Sequence, residues 1–399
     1  MYGTVIIGGG MAGLTVAHEL AKRGESVLLL DRYGNWGGRV YTYHGAKGLT
    51  YEVGAGRIHN DHRRVNALVK RYGLKTFPIG TASLWEGEGP NPFLEMFTPI
   101  RAALETLPAK ELGKHTIEEL VPKPLHPILK MYPYTSEIDL LRADVALPLF
   151  KPTATMGTVK PDFYGVVGGL DQLPHRLAGE AMAAGATLKD EHKVLDVKRI
   201  TGGLFTVKAE HKEKVVTFTA DRVVFAVCKC NLDEFKILKS APFQHQIKTG
   251  ALMRIYAIYP KHGGKVWFEG LPKVVSAGPL RYVIPINPKT GLIMISYTDG
   301  KDTEFWRPLK DVALQSEIQR QVRALFPDRH IPEPTYLKKH DWPGGCTYWL
   351  PGDYDVEEAS KAAHNLAKGV YVCGESISTE QTWIEGALQS AETLLHMLK

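Results

Sequence analysis

Apolar positions along this chain follow two different periods, and where each period holds predicts the elements. Thr4-Val5-Ile6-Ile7 is a short unbroken apolar run, as expected of a strand buried on both faces. From Met11 to about Arg23 apolar residues recur at helical spacing, and Ser26 to Leu30 is strand-like again and ends on Asp31. Helical periodicity returns over His62–Tyr72, Asp171–Ala184 and Leu309–Leu325, and from about Trp383 onward. Strand-like runs cover His192–Ile200, Leu204–Ala209, Val215–Val227, Ala251–Tyr259, Leu280–Pro285, Gly291–Tyr297 and Gly369–Cys373. Strands alternating with helices predict an α/β domain with a largely parallel sheet. We expect it to be discontinuous, built from residues 1–75, 164–231 and 334–399. Residues 76–163, rich in proline and short helical patterns, and 232–333, with apolar strands and one amphipathic helix, form a second, α+β domain.

The first strand and helix are joined by Gly8-Gly9-Gly10-Met11-Ala12-Gly13. In such a turn Gly8 lets the chain reverse tightly, Gly10 lets backbone N–H groups approach a pyrophosphate, and Gly13 lets the helix pack closely on the sheet. The helix N-terminus, at Met11 and Ala12, adds partial positive charge. Asp31, at the end of the next strand with Arg32 beside it, is placed to accept hydrogen bonds from an adenosine ribose. The turn alone does not choose between NAD and FAD.

Later segments choose. Gly37-Gly38-Arg39 follows the acid, and Gly54-Ala55-Gly56-Arg57 follows a short extended segment. Gly374-Glu375-Ser376 and Thr382-Trp383-Ile384-Glu385-Gly386-Ala387 lie near the other end. Together they resemble the flavin-containing amine oxidase family, which includes monoamine, polyamine and L-amino acid oxidases. The stretch from Gly54 to Val65 looks most like L-amino acid oxidases. The resemblance implies a Rossmann-like FAD-binding domain of the glutathione-reductase and amine-oxidase type, with an inserted mixed-sheet and helical substrate domain. It also implies FAD as cofactor, contacted by the residues of the first turn, by Asp31 and Arg32, and by Gly38 and Arg39. Gly54, Ala55, Gly56, Arg57 and Val194 are expected at the same cofactor, as are Gly374, Glu375, Thr382, Trp383, Ile384 and Ala387. The last helix offers free N–H groups to the negative charge that develops on a reduced flavin. No second glycine turn follows a strand and opens a helix after residue 60. Oxygen, not NAD(P)H, is then the simplest reoxidant, and the expected reaction is oxidation of an amine or amino acid with O2 as acceptor.

Four positions bear on the substrate. Trp383 falls where the family places an aromatic facing the substrate, and Tyr348, followed by Trp349, offers a second wall or a core residue. Arg57 matches an arginine that binds the substrate carboxylate in L-amino acid oxidases, a role a planar guanidinium suits. His59 matches a histidine that faces the amine in some polyamine oxidases. Arg254 stands where many members carry a lysine bridged by water to flavin N5; arginine keeps the charge but not the ability to accept a proton. Gly344-Gly345-Cys346 resembles the monoamine oxidase segment whose cysteine bonds to the flavin, so Cys346 is either a covalent attachment point or a free thiol. Arg57 tilts the balance slightly toward an L-amino acid. A polyamine or monoamine oxidase, a flavin desaturase or isomerase, and a non-catalytic flavoprotein are the alternatives.

Composition changes little. A net charge of +6 is spread over scattered basic residues, with no basic stripe for nucleic acid. Four cysteines in 399 residues make no disulfide framework and fit a reducing compartment, and Cys228-Lys229-Cys230 lacks partners at zinc spacing, so no metal is expected. No apolar run approaches bilayer length, and the expectation is a soluble, cytoplasmic protein without a membrane anchor. A homo-oligomer is left open.

Overall fold

The computed structural model describes residues 1–80, 82–150 and 163–398; part of the proline-rich insertion, residues 151–162, lies outside them. The chain forms two compact units, one of Met1–Ile79, Phe163–Thr249 and Tyr354–Lys399, the other of Gly80–Asp162 and Gly250–Asp353.

The first unit is organised by an eight-stranded sheet. Its strands are β1 (Tyr2–Ile7), β2 (Val27–Leu30), β3 (Thr187–Lys189), β4 (Lys193–Arg199), β5 (Phe205–His211), β6 (Lys214–Phe225), β7 (Asn365–Ala367) and β8 (Val370–Val372). The spatial order is β4–β5–β6–β1–β2–β3, with β8 alongside β6 and β7 alongside β8. The five strands from β3 to β8 through β1 run parallel; β4, β5 and β7 add antiparallel edges. The long β6 serves both parts. Its first half pairs with β5 from Lys214 to Ala220, and its second half carries the parallel pairing to β1 and β8. Four helices matter to the site: α1 (Met11–Lys22), α2 (Arg63–Arg71), α3 (Gln172–Ala183) and α4 (Ile384–Met397). α1 packs against both α3 and α4, and Leu14, Val16, Leu20, Leu173, Leu177, Leu388 and Leu394 are buried in one cluster with sheet residues such as Ile6 and Leu29. Burying each such side chain contributes about 1.5–3 kcal/mol, so one core fixes where α1 and α4 begin.

The second unit carries a six-stranded sheet in the order Tyr336–Trp349, Ile247–Ile258, Leu292–Asp299, Tyr282–Asn287, Lys273–Val275 and Ser83–Trp85. Met253, Ile255, Ile293 and Ile295 bury one face against Trp306, Ile318 and Val322, the last two on the amphipathic helix Asp311–Leu325. Two boundaries differ from the sequence reading. Residues 232–249, read above with the second domain, lie in the first unit. Residues 334–353, assigned above to the α/β domain, lie in the second unit, because Tyr336–Trp349 is a fourteen-residue strand of its sheet. Pro343, Gly344 and Gly345 interrupt that strand's apolar pattern and hid it.

Candidate active site

Among the described residues no helix is long and apolar enough to cross a membrane, and no group of three or more His, Cys, Asp or Glu side chains could hold a metal ion. The chemistry-bearing residues of the first unit gather at the C-terminal ends of its parallel strands.

Gly8 follows β1 with φ +109°, and a Cβ there would lie 2.5 Å from the carbonyl oxygen of Ala226. A Cβ on Gly13 would lie 2.0 Å from the oxygen of Gly8. Gly10 is different: the nearest atom to its Cβ position is the Gly37 oxygen at 3.9 Å. Two of the three glycines therefore hold helix and strand in contact, and the third faces open space. α1 starts there with no side-chain cap and no acid in its first turn, which leaves its N–H donors and positive dipole end directed at that space. A Cβ on Gly374, at φ +132°, would meet nothing within 4 Å. This is a cradle that a pyrophosphate fits.

Asp31 closes one side. Its Oδ2 accepts the Gly9 N–H at 2.6 Å and its Oδ1 the Tyr33 N–H at 2.8 Å. Burial raises its pKa, partly offset by these two bonds. Each carboxylate oxygen has a further lone pair, so the same side chain that braces the turn can also receive ribose hydroxyls. The His192 N–H donates to the Asp31 carbonyl at 2.7 Å, bringing the start of β4, with buried Val194, to the same corner. Arg32 pairs with Glu234 at 3.3 Å.

The opposite side is built by Arg39 and Glu375. Their side chains meet at 2.7 Å, and Glu375 is 5% exposed. The second carboxylate oxygen of Glu375 accepts the Thr382 N–H at 2.7 Å; Thr382 itself has φ +72°, unusual for a β-branched residue. Gly54 packs against the Arg39 backbone, where a Cβ would fall 1.9 Å from the Arg39 oxygen. The Ala55 N–H donates to that same oxygen at 2.9 Å. Gly54 and Ala55 thus position Arg39. α4 begins at Ile384 with no side-chain cap. Its first-turn acid, Glu385, turns to α2 instead, accepting the N–H groups of Arg64 and Val65 at 2.9–3.0 Å and the Arg64 guanidinium at 3.1 Å. Ile384 is buried and Ala387 half-buried behind it.

Arg57, His59 and Trp383 come together with two residues that sequence reasoning did not single out, Phe163 and His62. The Arg57 guanidinium carbon lies 4.5 Å from the Phe163 ring centre and 5.7 Å from that of Trp383. Phe163 and Trp383 are near-parallel at 5.9 Å, and His62 sets its edge to Trp383 at 4.7 Å. His59 packs on Phe163 at 4.9 Å. The His59 N–H donates to His62 Nδ1 at 3.2 Å and the Asp61 N–H to His59 Nδ1 at 3.1 Å. His59 is therefore a backbone-bonded histidine at a strand–helix junction as well as a wall of this cluster. Burial pulls His62 down to about 4, so its ring is neutral at physiological pH. Phe163 reaches the cluster as the cross-strand partner of His59, a pairing across a long insertion that no local pattern signals.

Arg254, Tyr348 and Cys346 belong to the second unit. Arg254 is buried on the strand Ile247–Ile258, with its guanidinium 5.0 Å from the ring centre of its cross-strand partner Tyr297. His340 lies within its field and is lowered to about 4, chiefly by burial. Tyr348 is 4% exposed and packs against Gly250 and the strand's own sheet, and burial drives its pKa well up. Cys346 is half-buried and in no disulfide.

The model of the flavin-containing amine oxidoreductase family matches residues 11–143 and 134–393. The chain belongs to that family. An L-amino-acid oxidase of Naja atra is 42% identical over 446 residues, covering 97% of this chain and 85% of that protein. A flavin-dependent L-tryptophan oxidase of Lentzea aerocolonigenes is 22% identical, covering 97% and 95%. The solved cyclohexylamine oxidase of Brevibacterium oxydans shares the fold, with a TM-score of 0.76 at 17% identity over 100% of this chain and 99% of its own. As a member of the flavin-containing amine oxidoreductases, the chain is an FAD-dependent oxidoreductase acting on amines. The open cradle at Gly10, the uncapped starts of α1 and α4, and Asp31 fit that cofactor.

Proposed function

We propose that this protein oxidises the C–N bond of an L-amino acid, with the first unit holding FAD. FAD, held there, would supply a hydride acceptor for the substrate Cα–H and a two-electron donor to O2. The protein's own contribution is positioning and charge. The α1 N-terminus and Gly10 bind the pyrophosphate, Asp31 the adenosine ribose, and Glu375 with Arg39 the ribityl side. The uncapped first turn of α4 supplies N–H donors where negative charge collects. Trp383 and Phe163 wall the substrate and exclude water. The observation that carries the amino-acid reading is Arg57 resting on Phe163 beside Trp383. A guanidinium carries its N–H donors in its own plane, in the fork that matches a carboxylate. The likeness to an L-amino-acid oxidase at 42% identity points the same way. Arg254 contributes fixed positive charge and no proton acceptance.

The test is anaerobic bleaching of the flavin by a panel of amino acids and simple amines, followed by peroxide release in air. Rapid bleaching by L-amino acids supports the proposal. Bleaching by amines alone makes this an amine oxidase in which Arg57 serves another purpose. No bleaching by any member turns the site over to desaturation, isomerisation or binding.

A further inference from the structure

The turn that carries Glu375 is held at both ends by buried serines, and a buried histidine joins the two. The Gly374 N–H donates to Ser390 Oγ at 2.9 Å. Three residues on, the Ile377 carbonyl accepts the Ser360 hydroxyl at 2.5 Å. Between these points Ser376 Oγ accepts the Lys229 N–H at 3.0 Å. Ser390 lies within α4, and Ser360 in the helix Val356–Ala363, which ends at His364. His364 Nδ1 is 2.7 Å from the Ser360 carbonyl oxygen. Its Nε2 is 2.9 Å from Ser390 Oγ and 3.1 Å from the Ser390 carbonyl oxygen. The His364 carbonyl accepts the Val372 N–H at 3.1 Å, which ties the residue to β8. His364 and Ser390 are 1% exposed.

Donor and acceptor chemistry leaves one arrangement for the neutral ring. A carbonyl can only accept, so the short contact at Ser360 puts the ring proton on Nδ1. Nε2 then accepts the Ser390 hydroxyl, whose oxygen keeps a lone pair for the Gly374 N–H. Burial holds His364 below the ordinary histidine value, against the pull of its carbonyl partners. The core does not need this network for adhesion, because Leu388, Ala391 and Leu394 already seat α4. Buried polar groups cost desolvation, and a satisfied network returns that cost as a single fixed geometry. What it fixes is a turn that is open on one side. A Cβ on Gly374 would meet nothing within 4 Å, and the next residue, Glu375, reaches Arg39 at 2.7 Å and the Thr382 N–H at 2.7 Å.

We propose that Ser360, His364 and Ser390 are positioning residues for the cofactor, a clamp that sets the Gly374–Ile377 turn so that Glu375 is presented to FAD. None of the three touches the cofactor; they act through Glu375. The inference rests on the placement of FAD at Arg39 and Glu375, and not on the amino-acid assignment.

The experiment titrates apoprotein with FAD, with no amine present, at a temperature where circular dichroism shows each variant folded. Ser390→Ala and Ser360→Ala each free one end of the turn, and each should weaken FAD binding by about 5- to 30-fold, as expected for a buried backbone group left without its partner. His364→Leu, which removes both ring nitrogens, should do the same; where it does not fold, the serine variants carry the test. The decisive readout is coupling. In a Glu375→Gln background Ser390→Ala should weaken binding by no more than about twofold further, because the residue it acts through is already altered. A general loss of stability would instead add in full, and full additivity overturns the proposal. FAD affinity within about twofold of the unmodified protein in both serine variants, beside an impaired Glu375→Gln, overturns the clamp alone. Normal FAD binding by Glu375→Gln overturns it through the placement of the cofactor beneath it.

Discussion

The guanidinium of Arg39 sits 2.7 Å from the buried carboxylate of Glu375, joining the turn after β2 to the turn before α4. Removing one partner of a buried pair strands the other charge and costs about 3–5 kcal/mol; with Arg39 28% exposed, solvent screening reduces this to roughly 2–3 kcal/mol. Arg39→Met should therefore lower the melting temperature of the apoprotein and weaken FAD retention in gel filtration. An unchanged FAD affinity would separate the pair from the cofactor.

The glycines of the first turn should divide into two classes. Gly10→Val fills open space, so the apoprotein should melt normally yet elute colourless after FAD incubation. Gly13→Val, whose Cβ would overlap the Gly8 oxygen at 2.0 Å, should destabilise the apoprotein itself. Circular dichroism melts of both variants without FAD decide this.

Arg57→Met tests the substrate assignment. Loss of a charge-assisted bidentate partner in a desolvated site is worth about 2–5 kcal/mol, or roughly 30- to 4000-fold in kcat/KM for amino acids. Amines without a carboxylate should be spared. Equal loss on both classes, with FAD content intact, would assign the arginine to the fold or the flavin.

His62 gives a pH dependence of defined sign. Its folded-state pKa of about 4 lies below the 6.5 of an unfolded histidine. Between these values the unfolded chain binds the extra proton, so stability is full above about 6.5 and declines as pH falls toward 4. His62→Gln should flatten that part of the melting-temperature profile. A parallel profile for the variant would remove His62 from the account.

Acid precipitation settles the state of Cys346. A non-covalent flavin leaves its yellow colour in the supernatant, which is the expected result. Colour that stays with the pellet, and is released in Cys346→Ala, would establish a covalent bond.

The α/β framework was legible because its elements carry local signals. The predicted helix from Met11 to about Arg23 is Met11–Lys22, and the predicted Asp171–Ala184 is Gln172–Ala183. The candidate cluster was half legible. Arg57, His59 and Trp383 sit in recognisable motifs, whereas Phe163 joins them by pairing across a long insertion and His62 meets Trp383 only through tertiary packing. The strand Tyr336–Trp349 was missed for the opposite reason: its sheet neighbours override a segment whose local pattern is broken by proline and glycine.

The order of strands in the first sheet also sets a schedule for biosynthesis. β1 and β2 emerge early, but the β6 edge that β8 covers must wait while residues of the second unit are translated. At about 5–20 residues per second that interval is on the order of ten seconds or more. Throughout it, the nascent chain presents Val223, Val224 and Phe225 without their final neighbour, an open apolar edge in the most crowded part of the cell. Any holdase that covers this edge during that interval acts on a stage of folding that the finished core cannot influence.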